Sequence, residues 1–113
     1  MTLDDREYDA LALPELRALV EALDATDEAG FEAELASDIL SIEFADGAKY
    51  VVNSHRAARQ IWMAAERSAW HFDWEAEGRR WVAQKTGDEL WATLERVLGQ
   101  KLGRDVRLGR ERS

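Results

Sequence analysis

Apolar and polar residues alternate from Ile39 to Asn53, on both sides of an Asp46-Gly47 pair. Alternation with a period of two, interrupted by Asp-Gly, is typical of a β-hairpin, because this dipeptide accepts the backbone angles of a tight turn. Successive strand side chains point to opposite faces, so one face of the hairpin is predicted to be buried. That face comprises Leu40, Ile42, Phe44, Tyr50 and Val52. A hairpin alone is only marginally stable in water, so further strands and a covering layer are expected.

Two other segments have the apolar spacing of amphipathic helices. The first covers residues 3–24, and Pro14 within it favours a bent but continuous helix, although Pro14 could also be the first residue of a shorter one. The second is predicted to begin with Thr86 as its cap, completed by Glu89 as a capping box, and to stop at Gly103. The apolar stripes are Tyr8, Leu11, Ala12, Leu16, Leu19 and Leu23 in the first helix, and Leu90, Trp91, Leu94, Val97, Leu98 and Leu102 in the second.

Short alternating runs predict the remaining strands, and these lie at residues 31–35, 60–64, 70–74 and 80–84. Residues 54–59 are predicted to form a polar loop. The order of helix, five or six short strands and helix predicts an α+β fold. This is a two-layer α/β sandwich with both helices on one face of a single, mainly antiparallel sheet. We expect one domain over residues 1–113, in which Val106 and Leu108 pack against the helices and residues 109–113 fray.

Composition narrows the classes of function. The formal net charge is −8, which argues against a nucleic-acid partner and favours cations or a basic protein surface. The chain has no cysteine, so it cannot form disulfides or hold a cluster through its own thiolates. It has no apolar run long enough to span a bilayer and no signal-peptide pattern, so we expect a cytoplasmic protein without a membrane partner.

The sheet face that the helices leave open carries the first candidate site. The alternation places Trp62 there with Gln60, and puts Asn53 and His71 on the same side. An exposed tryptophan flanked by amides is typical of a protein-binding surface, since aromatic residues are enriched at interaction hot spots. The alternative is a register shifted by one residue, which would place Trp62 in the core.

The second candidate is an acidic ridge, defined as Glu21, Asp24, Asp27, Glu28 and Glu32, and it extends to Glu34. Clustered carboxylates are hard oxygen donors that suit iron, manganese, magnesium or calcium. Their spacing matches no closed cage, so any metal site would be exposed and weak. On composition alone, a solvated acidic face that keeps the protein soluble is the better interpretation.

Catalytic motifs are absent from the sequence, since it contains no glycine-rich phosphate loop, nucleophile elbow or helical His-Glu pair. His55, His71 and Asp73 include the ligand types of a two-histidine, one-carboxylate iron site. The sequence gives no reason to place His55 beside the other two. We therefore predict no catalytic residue and interpret both histidines as surface residues.

Several blocks in a fixed order resemble the frataxin family, and within it the bacterial CyaY branch. They are the hairpin ending in Asn53, Gln-Ile-Trp-Met-Ala at 60–64, His-Phe-Asp-Trp at 71–74, Arg-Trp-Val at 80–82 and Thr-Gly-Asp-Glu-Leu-Trp at 86–91. The resemblance covers residues 7–108.

This resemblance implies six or seven strands under two helices and a non-enzymatic role in iron-sulfur cluster assembly. It implies that iron, ferrous or ferric, binds weakly at exposed carboxylates, which map onto Glu21, Asp24, Asp27, Glu28 and Glu32. It also implies docking on the cysteine desulfurase and the iron-sulfur scaffold protein, with regulation of sulfur transfer, through Asn53, Gln60, Trp62 and His71. The expected state is a monomer, with oligomerisation on iron as an alternative.

Several features depart from the family pattern, among them Pro14 in the first helix and a longer turn at residues 75–79. Val20, Ala25 and Ala29 stand where bacterial relatives often carry acids, which implies a thinner ridge and a lower iron stoichiometry. Two other functions stay open at this point. One is an iron oxidase or iron store, and the other is an acidic adaptor that binds a basic protein without a metal role.

Overall fold

The computed structural model describes residues 3–26 and 30–108, and within these it has two helices and seven strands. In chain order these are α1 Asp5–Ala25, β1 Phe31–Ala36, β2 Ile39–Phe44, β3 Lys49–His55, a 3-10 turn Arg56–Ala58, β4 Gln60–Ala65, β5 Ser68–Glu75, β6 Arg80–Ala83, β7 Asp88–Glu89 and α2 Leu90–Leu102. The predicted two-layer sandwich is confirmed, with both helices packed on one face of the sheet.

The sheet follows the order of the sequence, β1-β2-β3-β4-β5-β6-β7, and every neighbouring pair is antiparallel. In the predicted hairpin, Leu40 lies opposite Val52 and Ile42 opposite Tyr50. The strand count from the residues alone was one or two too low, because β7 has only two residues and no alternation to detect. The predicted loop at 54–59 was also wrong, since β3 continues to His55 and a 3-10 turn follows.

The core lies between the two helices and the inner face of the sheet. The predicted hairpin face is buried in full, and the helix stripes are buried apart from Leu11 and Leu102, which are partly exposed. The stripes and the hairpin face meet in one apolar cluster, which includes Leu19, Leu23, Phe44, Leu94 and Val97. Val106 and Leu108 also pack into it. The alternation therefore predicted correctly which side of each strand faces the helices.

Helix α1 begins one residue after Asp4, which is its N-cap. The Asp4 carboxylate accepts a hydrogen bond from the Glu7 backbone N–H at 2.8 Å, and the Glu7 carboxylate accepts one from the Asp4 N–H at 3.1 Å. This reciprocal capping box satisfies two backbone donors that the first turn leaves free. Pro14 lies inside a helix that continues on both sides of it, so the alternative of a shorter helix starting at Pro14 is wrong.

Helix α2 begins later than predicted, because its N-cap is Glu89 and not Thr86. The Glu89 carboxylate accepts hydrogen bonds from the backbone N–H groups of Trp91 and Ala92, both at 3.0 Å. Thr86 instead lies in the turn before β7, where its hydroxyl donates to Asp88 at 2.8 Å. The predicted stop is confirmed, since Gly103 caps the helix with a left-handed backbone, φ 75°.

Some predictions fall on residues outside the described ranges. These are the fraying of residues 109–113 and the places of Asp27, Glu28 and Ala29. The extent of the domain likewise stays a prediction. Among the helices formed by residues 3–26 and 30–108, none combines the length and the apolar character needed to cross a membrane.

Candidate functional site

The residues predicted for docking lie in neighbouring strands on the outer face of the sheet. Asn53 of β3 pairs with Trp62 of β4, which pairs in turn with His71 of β5. Ile61 and Met63 on either side of Trp62 are buried in the core. Because strand side chains alternate, Trp62 points away from the helices. The register shift that would have placed it in the core is wrong.

Trp62 is the middle ring of a three-ring stack. The His55 imidazole lies on one face of the indole, with ring centroids 3.8 Å apart and planes 12° from parallel. The His71 imidazole lies on the other face, at 4.2 Å and 14°. Trp62 is therefore half-buried, and the prediction of a substantially exposed side chain was wrong in degree. The cause is local, since the two imidazoles cover the indole faces that solvent would otherwise reach.

Amide side chains fix the edge of the indole. Trp62 Nε1 donates a hydrogen bond to Gln60 Oε1 at 2.7 Å, and Gln60 Nε2 donates to Asp73 Oδ1 at 3.1 Å. The Asn53 side-chain amide donates to the Ser54 backbone carbonyl at 2.9 Å. Gln60 is thus held between the ring stack and a carboxylate. The indole has its polar atom satisfied before any partner arrives.

The described part of the acidic ridge is exposed but spread out. Glu21 and Asp24 lie exposed towards the end of α1, and Glu32 and Glu34 lie exposed on β1. Within the described residues, no three acidic or histidine side chains come close enough together to hold one metal ion. The described carboxylates therefore suit loose, exposed cation binding and form no cage.

Strand register brings one further carboxylate to the ridge. Glu43 of β2 lies directly opposite Glu32 of β1, and Lys49 of β3 lies opposite Glu43. All three are exposed and on the same outer face as Trp62, because Ile39 of β2 belongs to the row of Asn53. Like charges in directly opposed positions repel, so a cation between Glu32 and Glu43 would relieve that repulsion. The outer face thus carries acid at β1 and β2, and stacked rings at β3 to β5.

The profile of the frataxin-like domain matches residues 1–104 of this chain. The chain belongs to the frataxin-like family. Its relatives include proteins named iron-sulfur cluster assembly protein CyaY. The protein from Dechloromonas aromatica (strain RCB) is 38% identical over 105 residues, which are 92% of this chain and 97% of that protein. The protein from Cupriavidus pinatubonensis is 33% identical over 110 residues, 95% of this chain and 97% of that protein.

Solved structures agree with this frataxin-like fold. Frataxin from Psychromonas ingrahamii superposes with a TM-score of 0.85 at 20% identity, covering 96% of this chain and 100% of that one. Yeast frataxin superposes with a TM-score of 0.70 at 21% identity, covering 90% of this chain and 85% of that one. At such identities the likeness establishes the fold alone.

His55 is the residue of the frataxin-like outer face that sequence reasoning missed. Its backbone N–H donates to the Tyr8 hydroxyl at 3.0 Å, and that hydroxyl donates to the Gln60 carbonyl at 2.5 Å. Burial raises the pKa of Tyr8, so the phenol stays a donor. His55 follows Asn53 by two positions, and continuing the alternation past Asn53 would have placed it on this face.

The structure also argues against an iron site formed by two histidines and one carboxylate. His55 and His71 do come together with Asp73 nearby on β5, but the Trp62 indole lies between the two imidazoles. Two ligands on opposite faces of an aromatic ring cannot bind the same ion. The arrangement instead builds a rigid aromatic element across three strands.

Proposed function

We propose that this frataxin-like protein takes part in iron-sulfur cluster assembly and regulates it by docking on the cysteine desulfurase and its scaffold protein. Support comes from the relatives, which are named iron-sulfur cluster assembly proteins and which this chain matches over nearly their whole length. The single observation that carries docking is the stack of His55, Trp62 and His71 on the outer sheet face, which neither helix of the described residues covers. The role is that of a non-enzymatic regulator.

The outer face suits a protein partner in two ways. Aromatic residues in preorganised surroundings are favoured as hot spots, and truncating one commonly costs at least about 2 kcal/mol of binding. The exposed carboxylates of Glu32, Glu34 and Glu43 would attract a basic surface over longer range. Short-range packing and long-range attraction are thereby separated across the sheet, with acid on β1 and β2 at one edge and Trp62 on the central strand β4.

Iron is the proposed cargo of the acidic ridge. Exposed carboxylates without a rigid cage hold metal loosely, so ferrous iron is expected to bind in the micromolar range or more weakly. Other divalent ions are expected to compete with it. The predicted cytoplasmic location and the monomeric state stay predictions.

Docking is tested by measuring the affinity of the purified protein for the cysteine desulfurase of the same organism, with and without the scaffold protein. Trp62→Ala is expected to weaken binding by about thirtyfold, the equivalent of a lost hot spot. Leu13→Ala is the matched control, because Leu13 is an exposed apolar residue on α1. If folded Trp62→Ala binds like the wild type, the open sheet face is not the docking surface.

Iron binding is tested by calorimetric titration of ferrous iron without oxygen. Changing Glu21, Asp24, Asp27 and Glu28 together to their amides is expected to abolish binding while the fold persists. Glu77→Gln, an exposed acid on the turn after β5, is the control. Unchanged affinity in the fourfold variant would show that the metal binds elsewhere. A second measurement, oxygen consumption on aerobic addition of iron, would reveal the alternative oxidase activity.

A further inference from the structure

We infer that His55 is a positioning residue for docking: it packs on one face of the Trp62 indole while His71 packs on the other, so that the indole presents its edge to the partner. This inference rests on the proposed function, because it concerns the same surface. It adds a residue to the predicted docking set and states which part of Trp62 a partner can reach. The argument begins with the way the rings are anchored.

Three different strands each supply one ring. His55 comes from the end of β3, Trp62 from the middle of β4 and His71 from β5. The backbone ladder fixes the spacing of these strands, since Asn53, Trp62 and His71 form one row and His55 lies opposite Gln60. Neighbouring strands lie about 4.8 Å apart, which is close enough for side chains of adjacent strands to stack, and the ring centroids here are 3.8 and 4.2 Å apart. The sheet itself therefore sets the stack.

His55 is the anchored end of the stack. Its backbone is tied through the Tyr8 hydroxyl to α1, and Tyr8 is completely buried in the core. His55 Nδ1 is buried without a hydrogen-bond partner among the described residues. Burying a polar nitrogen without a partner is unfavourable, so this imidazole stabilises its surroundings through its ring contact and not through Nδ1. That contact is the one with Trp62.

His71 is the open end of the stack, because its side chain is exposed while its inner face covers the indole. A partner therefore cannot lie flat on Trp62. It meets the indole edge and the exposed side of His71. Since the indole is already ordered by two rings and by Gln60, docking has less side-chain freedom to freeze, which favours tighter binding.

The experiment compares His55→Ala with His55→Phe in the full chain. Two quantities are measured, the order parameter of the Trp62 indole N–H by ¹⁵N relaxation and the affinity for the cysteine desulfurase. His55→Ala is expected to lower the order parameter and to weaken binding by about three- to tenfold, the usual worth of one aromatic contact. His55→Phe keeps a flat ring and is expected to restore both quantities.

Arg56→Ala serves as the neighbouring control, because Arg56 pairs with Asp9 on α1 and is exposed. It is expected to change neither quantity. If His55→Ala fails to fold, His55→Leu keeps the apolar bulk without a flat ring and is compared with His55→Phe in the same way.

The positioning role is overturned if His55→Ala leaves both the indole order and the affinity unchanged, or if His55→Phe restores neither. Absence of desulfurase binding by the wild type would instead overturn the proposed function. The indole order parameter would then still decide whether His55 holds Trp62.

Discussion

Tyr8 links the first helix to the strands beneath the ring stack through a single hydroxyl. It donates to the Gln60 carbonyl and accepts from the His55 N–H. Tyr8→Phe would leave both backbone groups without this partner in partly buried surroundings. We expect the free energy of unfolding, measured in urea, to fall by about 1–3 kcal/mol.

The comparison variant for Tyr8 is Tyr50→Phe, since the Tyr50 hydroxyl donates to the exposed carboxylate of Glu66 at 2.7 Å. That carboxylate can turn to water when its donor is lost, so a smaller decrease is expected. Equal losses of unfolding free energy in the two variants would show that the Tyr8 hydroxyl stabilises the fold no more than an exposed hydrogen bond does.

Tyr50 also makes the free energy of unfolding depend on pH in the alkaline range. Burial, and then the hydrogen bond to Glu66, raise the pKa of Tyr50 from its ordinary value of 10.0 to about 12. A raised pKa in the folded state means that folding favours the protonated phenol. The resulting stabilisation is present in full below pH 10 and is lost as the pH rises through about 12. Urea unfolding across this window should show a smaller loss for Tyr50→Phe than for the wild type, and equal losses would refute the prediction.

Among the elements, the start of α2 gives a direct test of the observed cap. Glu89→Ala removes the acceptor for two backbone N–H groups and should lower the free energy of unfolding by about 1 kcal/mol. Thr86→Ala should change it by less than about 0.5 kcal/mol, because Thr86 lies outside the helix. Thermal or urea unfolding of both variants decides between them. The reverse order would restore the capping box predicted from the sequence.

Pro14 is a destabilising residue within α1. It is exposed and lies well inside the helix, where proline lacks an N–H donor and crowds the preceding turn. Pro14→Ala should therefore raise the free energy of unfolding by about 1–3 kcal/mol. Arg17→Ala, at an exposed site nearby on the same helix, measures the part that alanine propensity alone contributes. A gain no larger than that of the control would show that the helix has already relaxed around the ring.

Periodicity correctly predicted those features that depend on a single strand or helix, such as the face on which a side chain lies. Leu40, Phe44 and Trp62 were each placed on the correct face, because alternation needs no knowledge of the neighbouring strand. Features that need two strands in register were missed. The contact of Trp62 with His55, and the opposition of Glu32 and Glu43, arise only after the ladder is formed.

Helix caps show the same limit. Thr86 followed by Glu89 satisfies the sequence rule for a capping box. In the fold, β6 recruits Asp88 and Glu89 as the short strand β7, which delays the helix until Leu90. A pairing made elsewhere in the sheet thus overrode a local signal.

Taken as a whole molecule, the protein carries a formal net charge of −8, and its outer sheet face is acidic at one side. Changing Glu32, Glu34 and Glu43 to glutamine should slow association with the desulfurase several-fold and flatten its dependence on salt. Trp62→Ala should act mainly on the dissociation rate, because packing is short-ranged. Binding kinetics at two salt concentrations separate these effects. If both variants changed only the dissociation rate, the acidic side would have no steering role.

The consecutive order of the strands affects how the chain is completed during synthesis. Each strand pairs with the one just made, so the sheet can grow as a series of local closures with little loop entropy to overcome. Helix α1 is made first, yet its Glu15 bonds to the indole N–H of Trp91, 76 residues later. The apolar stripe of α1 can pack on β1, β2 and β3 soon after they are made, but its Tyr8 ring also packs edge-on against Trp81 of β6. The contacts of α1 are therefore completed only after the last strands and α2 have left the ribosome.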